Sequence, residues 1–287
     1  MQTIELRDGR AVLVDDTGAA DSTSGSGRGS GTDADRPTLV WHHESPHTGV
    51  LFEPLRSLAA DRGLRLLALT RPGYGGADPL PGRSVADGAR DLAQVLDALG
   101  IARVAVFGGS GGGPHALAAA ALLPDRVAAV ATVASPAPFV DTPVWWDGMA
   151  DDGGLRAAIA GREARLTWAA TADFDPSQFV DTDWAALDGE WAALGRDATA
   201  AGGSGLQGGA DDDVAFVTDW GFPLSAVTVP TVVVHGTRDR VVPVAHGRAL
   251  AEAVPHATYE ERPHDGHIAV LSTVPSLMDR LAATLRG

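Results

Sequence analysis

Short apolar runs alternate along this chain with stretches in which apolar residues recur every third or fourth position, and that alternation predicts its architecture. Residues 3–6 and 11–14 read as two strands joined at the Asp8-Gly9 turn. Residues 38–41, 65–69, 104–107 and 127–133 read as further strands, mostly apolar, as buried strands are. Between them, 52–62 carries apolar residues at helical spacing. The stretch 84–99 opens on Ser84 with Asp87 three residues on, a capping box, and stops at Gly100. Residues 116–123 form an alanine- and leucine-rich helix ended by Pro124. Strands and helices alternating in this way imply a parallel sheet with helices on both faces. The rhythm lapses over 136–215, where short helical pieces are broken by glycine and aspartate. It resumes with a strand at 231–235, a helix at 244–254, a strand at 258–262 and a helix at 272–285.

The expectation is an α/β core over 1–135 and 216–287, built on an eight-stranded, mostly parallel sheet, with a helical cap over 136–215 inserted between two strands. Residues 19–35 are serine, glycine and aspartate with no apolar period, and read as a flexible surface loop.

Composition narrows the function classes. A chain of 287 residues can hold one large domain, or a core carrying an insertion. The net charge of −15 and the lack of any basic cluster argue against nucleic acid or an anionic membrane as partner. All basic side chains are arginine, which together with the alanine and glycine excess is a coding bias. Cysteine is absent, which excludes disulfides and thiolate metal sites. The first ten residues are charged and lack an apolar core, and no apolar run is long enough to span a bilayer, so a cytoplasmic location is expected.

The chemistry is concentrated at Val104-Ala-Val-Phe-Gly108-Gly-Ser110-Gly-Gly112. A buried strand runs into a helix through a glycine-flanked serine, the Gly-x-Ser-x-Gly nucleophile elbow. The turn is so tight that side chains at Gly108 and Gly112 would clash, while the hydroxyl of Ser110 is lifted clear at a helix N-terminus. In this setting the chain resembles the α/β-hydrolase family over nearly its whole length outside the cap. Further signatures follow in that family's order: the loop His42-His43-Glu44-Ser45-Pro46 after the third strand, and the turn Arg71-Pro72-Gly73-Tyr74-Gly75. Two late motifs complete the set, His235-Gly-Thr-Arg-Asp239 and Asp265-Gly266-His267.

The resemblance implies roles by position. Ser110 would be the nucleophile, His267 the general base and Asp239 its orienting acid. Gly111 would offer the first oxyanion amide, and Ser45 the second. Among the rival histidines, His264 lacks the preceding glycine, His235 falls at the end of a buried strand, and His115 in the first turn of the elbow helix either lines the pocket or packs. Asp265 is too close in sequence to orient His267. Trp145 and Trp146, in the aromatic-rich cap, are candidates for the pocket wall.

One loop departs from the pattern. His43-Glu44-Ser45-Pro46-His47 spells the zinc-protease motif His-Glu-x-x-His, but that motif needs a helix, and Pro46 disfavours one here. No metal is expected. Read as the hydrolase loop, Glu44 replaces a glycine, and a carboxylate near the oxyanion would oppose charge development. Either Glu44 turns away and is paired with His42 or His47, or the site departs from ordinary ester hydrolysis; His43 is a further loop candidate.

The expected function is a serine hydrolase that cleaves an ester or lactone through an acyl-serine intermediate. It would need no cofactor and would act on a small, partly apolar substrate. Alternatives are a proline-iminopeptidase-like peptidase and a hydrolase-fold protein that binds a ligand without turnover. Gly111 to Ala116 also fits Gly-x-Gly-x-x-Ala, but no acidic residue ends a strand about twenty residues on, as a dinucleotide site requires.

Overall fold

Strands form where the apolar runs lie. In the computed structural model, which describes residues 1–18, 36–203 and 205–286, the order is β1 (Gln2–Glu5), β2 (Ala11–Asp16), β3 (Thr38–His42), α1 (Leu55–Asp61), β4 (Arg65–Leu69) and α2 (Asp87–Ala98). Then follow β5 (Val104–Gly109), α3 (Gly112–Leu122) and β6 (Val127–Val133). The loop expected at 19–35 lies outside the described residues. After the insertion come β7 (Thr231–Gly236) and β8 (Ala257–Arg262).

The eight strands make one sheet in the order β1-β2-β4-β3-β5-β6-β7-β8. β1 pairs with β2, and β2 with β4, antiparallel; every other pair is parallel. The inner strands β3, β5, β6 and β7 are buried at every residue. That is why they read as continuous apolar runs and not as alternating ones. One face is covered by α2 and α3, through Leu92, Val95 and Leu117. The other is covered by α1 through Leu55 and Ala59, and by the C-terminal helix through Leu277, Met278 and Leu281.

The segment between β6 and β7 is helical: α4 (Pro143–Trp146), α5 (Gly153–Ile159), α6 (Arg162–Ala169), α7 (Asp181–Asp188), α8 (Ala192–Gly203) and α9 (Gln207–Phe216). The chain closes with α10 (Val244–Ala253) before β8, and α11 (Val274–Arg286) after it. Among the described residues no helix is long and apolar enough to cross a membrane.

Two local expectations are corrected. The capping box at the start of α2 is only half formed. The Asp87 carboxylate accepts the Ser84 amide at 2.8 Å and the Ser84 hydroxyl at 2.9 Å, so that hydroxyl is spent as a donor. The Asp87 amide bonds the Ser84 carbonyl instead. The elbow helix begins at Gly112, four residues before the alanine run, because Pro114 is tolerated in a first turn whose amides need no partner within the helix.

The sheet order reverses around β3, which has β4 on one side and β5 on the other. Loops leaving the carboxyl ends of β3 and β5 therefore part there and open a crevice, the usual place for a ligand in an open α/β sheet.

Candidate active site

Ser110 stands at that crevice, in the two-residue turn between β5 and α3. Its φ is +47°, a left-handed conformation that costs a non-glycine residue about 1–2 kcal/mol. The turn is held by the Ser110 amide on the Val133 carbonyl at 2.8 Å. A Cβ at Gly108 would strike the backbone of Gly112, and one at Gly112 would strike the His42 carbonyl. Glycine at both positions is what lets β3, β5 and α3 converge on one hydroxyl.

The structure brings the three predicted residues together. His267 Nε2 lies 3.0 Å from Ser110 Oγ, and its Nδ1 lies 2.8 Å from Asp239 Oδ2. Asp239, in the loop after β7, is fixed through its other oxygen, which accepts the amides of Val241 and Val242 at 2.9 Å each. Burial would raise the Asp239 carboxyl, but His267 and His235 outweigh it and hold the group well below the ordinary carboxylate range. Burial works to lower His267, yet the Asp239 charge leaves it above the ordinary imidazole value. His235 donates from Nε2 to the Val242 carbonyl at 2.7 Å, behind Asp239, and does not face Ser110.

Ser45 faces the elbow from the other side: a Cβ on Gly111 would lie 2.5 Å from Ser45 Oγ. The loop carrying Ser45 is irregular, not helical, so His43 and His47 do not share a helix face. His43 takes the Arg71 amide on Nε2 at 3.1 Å and so donates from Nδ1 to the Glu44 carbonyl at 2.7 Å. It supports the loop from beneath. His47 Nδ1 lies 2.8 Å from Asp197 Oδ2 on α8.

Glu44 is buried, and its carboxyl oxygens have no hydrogen-bond partner among the described residues. They are tucked against the elbow and Trp41, where a Cβ on Gly109 would lie 2.7 Å from Oε1. His47 Nε2 is 3.9 Å from Oε2. Burial pushes this carboxyl up, against the pull of His47 and His267. A carboxyl biased toward its neutral form opposes a nearby oxyanion far less than the carboxylate would. Glycine at 109 makes room for it: a side chain there would compete with Glu44 for the same space.

Above Ser110 and His267 lies a cavity of about 550 Å³. Its apolar wall is built by Phe174, Phe179, Trp184, Leu187, Leu194 and Ile268, and Glu44, Ser45 and His47 form its polar side. Trp145 and Trp146 are not part of that wall, contrary to expectation. They pack edge-to-face on each other and on Phe139, with Val217, as the insertion's own core. His115 is likewise absent from the wall. It is buried 3.5 Å from Asp212, with burial lowering it to about 4.

Sequence reasoning missed three carboxylates of the insertion: Asp197, which meets His47, and two that are fully buried. Asp183, at the start of α7, is fully buried and accepts the amides of Ile268 and Ala269 at 2.8 and 2.9 Å, pinning the residues next to His267. Asp212, on α9, is fully buried and binds Ser45 Oγ at 2.5 Å, Tyr74 at 2.8 Å, Arg71 at 2.8 Å and Arg83 at 2.5 Å. Burial would raise Asp212, but the two guanidiniums hold it well below the ordinary range. The signal was Asp211-Asp212-Asp213, three successive charges in an otherwise uncharged helix.

A family model described as alpha/beta hydrolase fold matches residues 37–273. A non-heme chloroperoxidase of Streptomyces lividans is 28% identical over 302 residues, covering 97% of this chain and 97% of that protein. A 2-hydroxy-6-oxononadienedioate/2-hydroxy-6-oxononatrienedioate hydrolase of Cupriavidus pinatubonensis is 31% identical over 215 residues, covering 72% of this chain and 71% of that protein. The crystal structure of an enol-lactonase from Burkholderia xenovorans superposes with a TM-score of 0.67 at 20% identity, over the full length of both chains.

Proposed function

The chain belongs to the α/β-hydrolase fold family, and from that footing we propose that it is a serine hydrolase cleaving a carboxylic ester or lactone. The observation that carries the reading is the continuous path from Asp239 Oδ2 through His267 to Ser110 Oγ, at 2.8 and 3.0 Å. Asp239 keeps the His267 proton on Nδ1, which leaves Nε2 free to take the Ser110 proton as Oγ attacks the carbonyl carbon. The imidazolium that forms is stabilised by Asp239. The tetrahedral oxygen faces the amides of Gly111 and Ser45. Collapse breaks the bond to the alcohol oxygen, which takes the proton from His267 Nε2. Water, deprotonated by the same nitrogen, then attacks the acyl-Ser110 carbonyl; the bond to Oγ breaks, the carboxylic acid leaves, and Oγ takes the proton back from Nε2.

The helical insertion serves as a cap over this centre. Phe174, Phe179 and Trp184 at the cavity favour an apolar acyl or alcohol group, since burying such groups is worth about 25 cal/mol per Å². The test is hydrolysis of p-nitrophenyl esters of graded acyl length beside fluorophosphonate labelling. Turnover and labelling should both vanish in Ser110→Ala. Turnover that survives the substitution would overturn the reading.

A further inference from the structure

We propose that Asp212 is a positioning residue for the hydrolysis proposed above: from the helical insertion, it fixes Ser45 so that the Ser45 amide faces the oxyanion. The inference rests on that reading of the site.

Asp212 belongs to α9 and Ser45 to the loop after β3, 167 positions apart in the chain. Asp212 Oδ2 gathers four donors, Ser45 Oγ, Tyr74 Oη, and Arg71 through Nε and Nη2, at 2.5 to 3.1 Å. Oδ1 takes Arg83. Arg71 is therefore oriented as well as neutralised. It also reaches the same loop: Nη1 donates to the His43 carbonyl, and Nη2, shared with Asp212, lies 3.0 Å from the Glu44 carbonyl and 2.7 Å from Ser45 Oγ. The three residues that set the direction of the Ser45 amide are thus gripped through two carbonyls and a hydroxyl, all converging on one carboxylate. A hydroxyl placed 2.5 Å from where a Gly111 Cβ would stand also sets the spacing of the two donor-bearing segments.

The flanking charges do a different job. Asp211 and Asp213 bond Arg162 and Arg165 on α6 at 2.5 Å each, and tie α9 to its own layer. Asp212 alone of the three reaches the core. Its low pKa and complete burial make it a fixed anion at neutral pH, suited to an interaction that must not fluctuate. Errors of about 1 Å in a donor's position cost roughly 100-fold in rate, so the grip bears on turnover more than on substrate binding.

The test is a double-substitution cycle on kcat and KM with Ser45→Ala, Asp212→Asn and the pair, using the best p-nitrophenyl ester. Ser45→Ala deletes the hydroxyl and keeps the amide. Each single substitution should lower kcat about 10-fold or more with KM within about threefold, and the pair should be no worse than Asp212→Asn alone. A second readout compares a trifluoromethyl ketone with the matching methyl ketone. Ser110 Oγ adds to the fluorinated carbonyl and leaves an oxyanion, whereas the methyl ketone binds without reacting. The inhibition ratio between the two should collapse in both variants.

Unchanged kcat in Ser45→Ala, losses that multiply in the pair, or equal weakening of both ketones would overturn the proposal and leave Asp212 a purely structural anchor. If Asp212→Asn does not fold, Ser45→Ala and its ketone ratio decide alone. Wild-type protein that neither turns over esters nor discriminates the ketones would instead refute the serine-hydrolase reading itself.

Discussion

Replacing Asp239 by asparagine tests the assignment of roles at the level of a single proton. Two amides, those of Val241 and Val242, donate to Asp239 Oδ1 at 2.9 Å. They fix how an asparagine sits here, because its NH₂ in that place would strand both, at about 1–3 kcal/mol for each buried unpaired group. The amide oxygen therefore takes the Oδ1 position, and the NH₂ takes the Oδ2 position 2.8 Å from His267 Nδ1. That NH₂ can only donate. It selects the imidazole tautomer protonated on Nε2, whose N–H points at Ser110 Oγ and cannot accept the serine proton. A wrong tautomer with intact geometry costs about 10⁴ in kcat, roughly 5.5 kcal/mol of transition-state stabilisation.

The fold should lose less than with alanine, since both amide bonds survive and only the attraction of the carboxylate to His267 and His235 is given up. Asp239→Ala should behave differently, stranding the Val241 and Val242 amides and lowering stability by about 2 kcal/mol or more. The assay is kcat/KM on a p-nitrophenyl ester beside urea unfolding for wild type, Asn and Ala. An asparagine variant that keeps more than about 1% of wild-type activity, or one less stable than the alanine variant, would refute the reasoning.

Two further outcomes concern pH. His267 must be neutral to accept a proton, and its pKa lies above the ordinary 6.5, so kcat/KM should rise with pH through a midpoint above 6.5 and then level off; a midpoint below 6 would contradict the arrangement. His115 and His246 are both pushed down to about 4 by burial. Below pH 6.5 the unfolded chain takes up protons that the folded chain refuses, so stability should fall between about pH 6.5 and pH 4, by an amount of the order of a few kcal/mol per histidine. Urea midpoints at pH 7 and pH 4.5 read this directly, and equal midpoints would show the two rings to be protonated in the fold.

Much of this was legible in the sequence, for identifiable reasons. Buried strands such as 127–133 announce themselves because both their faces are covered, and the elbow because sterics permit only glycine around it. Ser110, Asp239 and His267 could be named because each sits in a motif whose local geometry delivers it to the same crevice. The contacts of the insertion carried no such local mark. Asp212 meets Ser45 and Asp183 meets Ile268 across 167 and 85 positions, set by how helices dock and not by any short pattern. Trp145 and Trp146 were misplaced for a related reason. A pair of indoles is as good a core for a small helical layer as a wall for a ligand, and only packing separates the two uses. Phe174 and Trp184 took the wall instead, both partly exposed at its edge.

The carboxylates that reach down from the insertion bear on how this protein could be altered. Lids are commonly treated as interchangeable modules, to be swapped or shuffled in search of new substrates while the catalytic body is left alone. Here Asp183, Asp197 and Asp212 each hold a loop of that body. A transplanted insertion without acids at those three places would disconnect the very loops that the present one holds. Libraries that recombine this segment should therefore lose turnover before they change selectivity, unless the three aspartates travel with it.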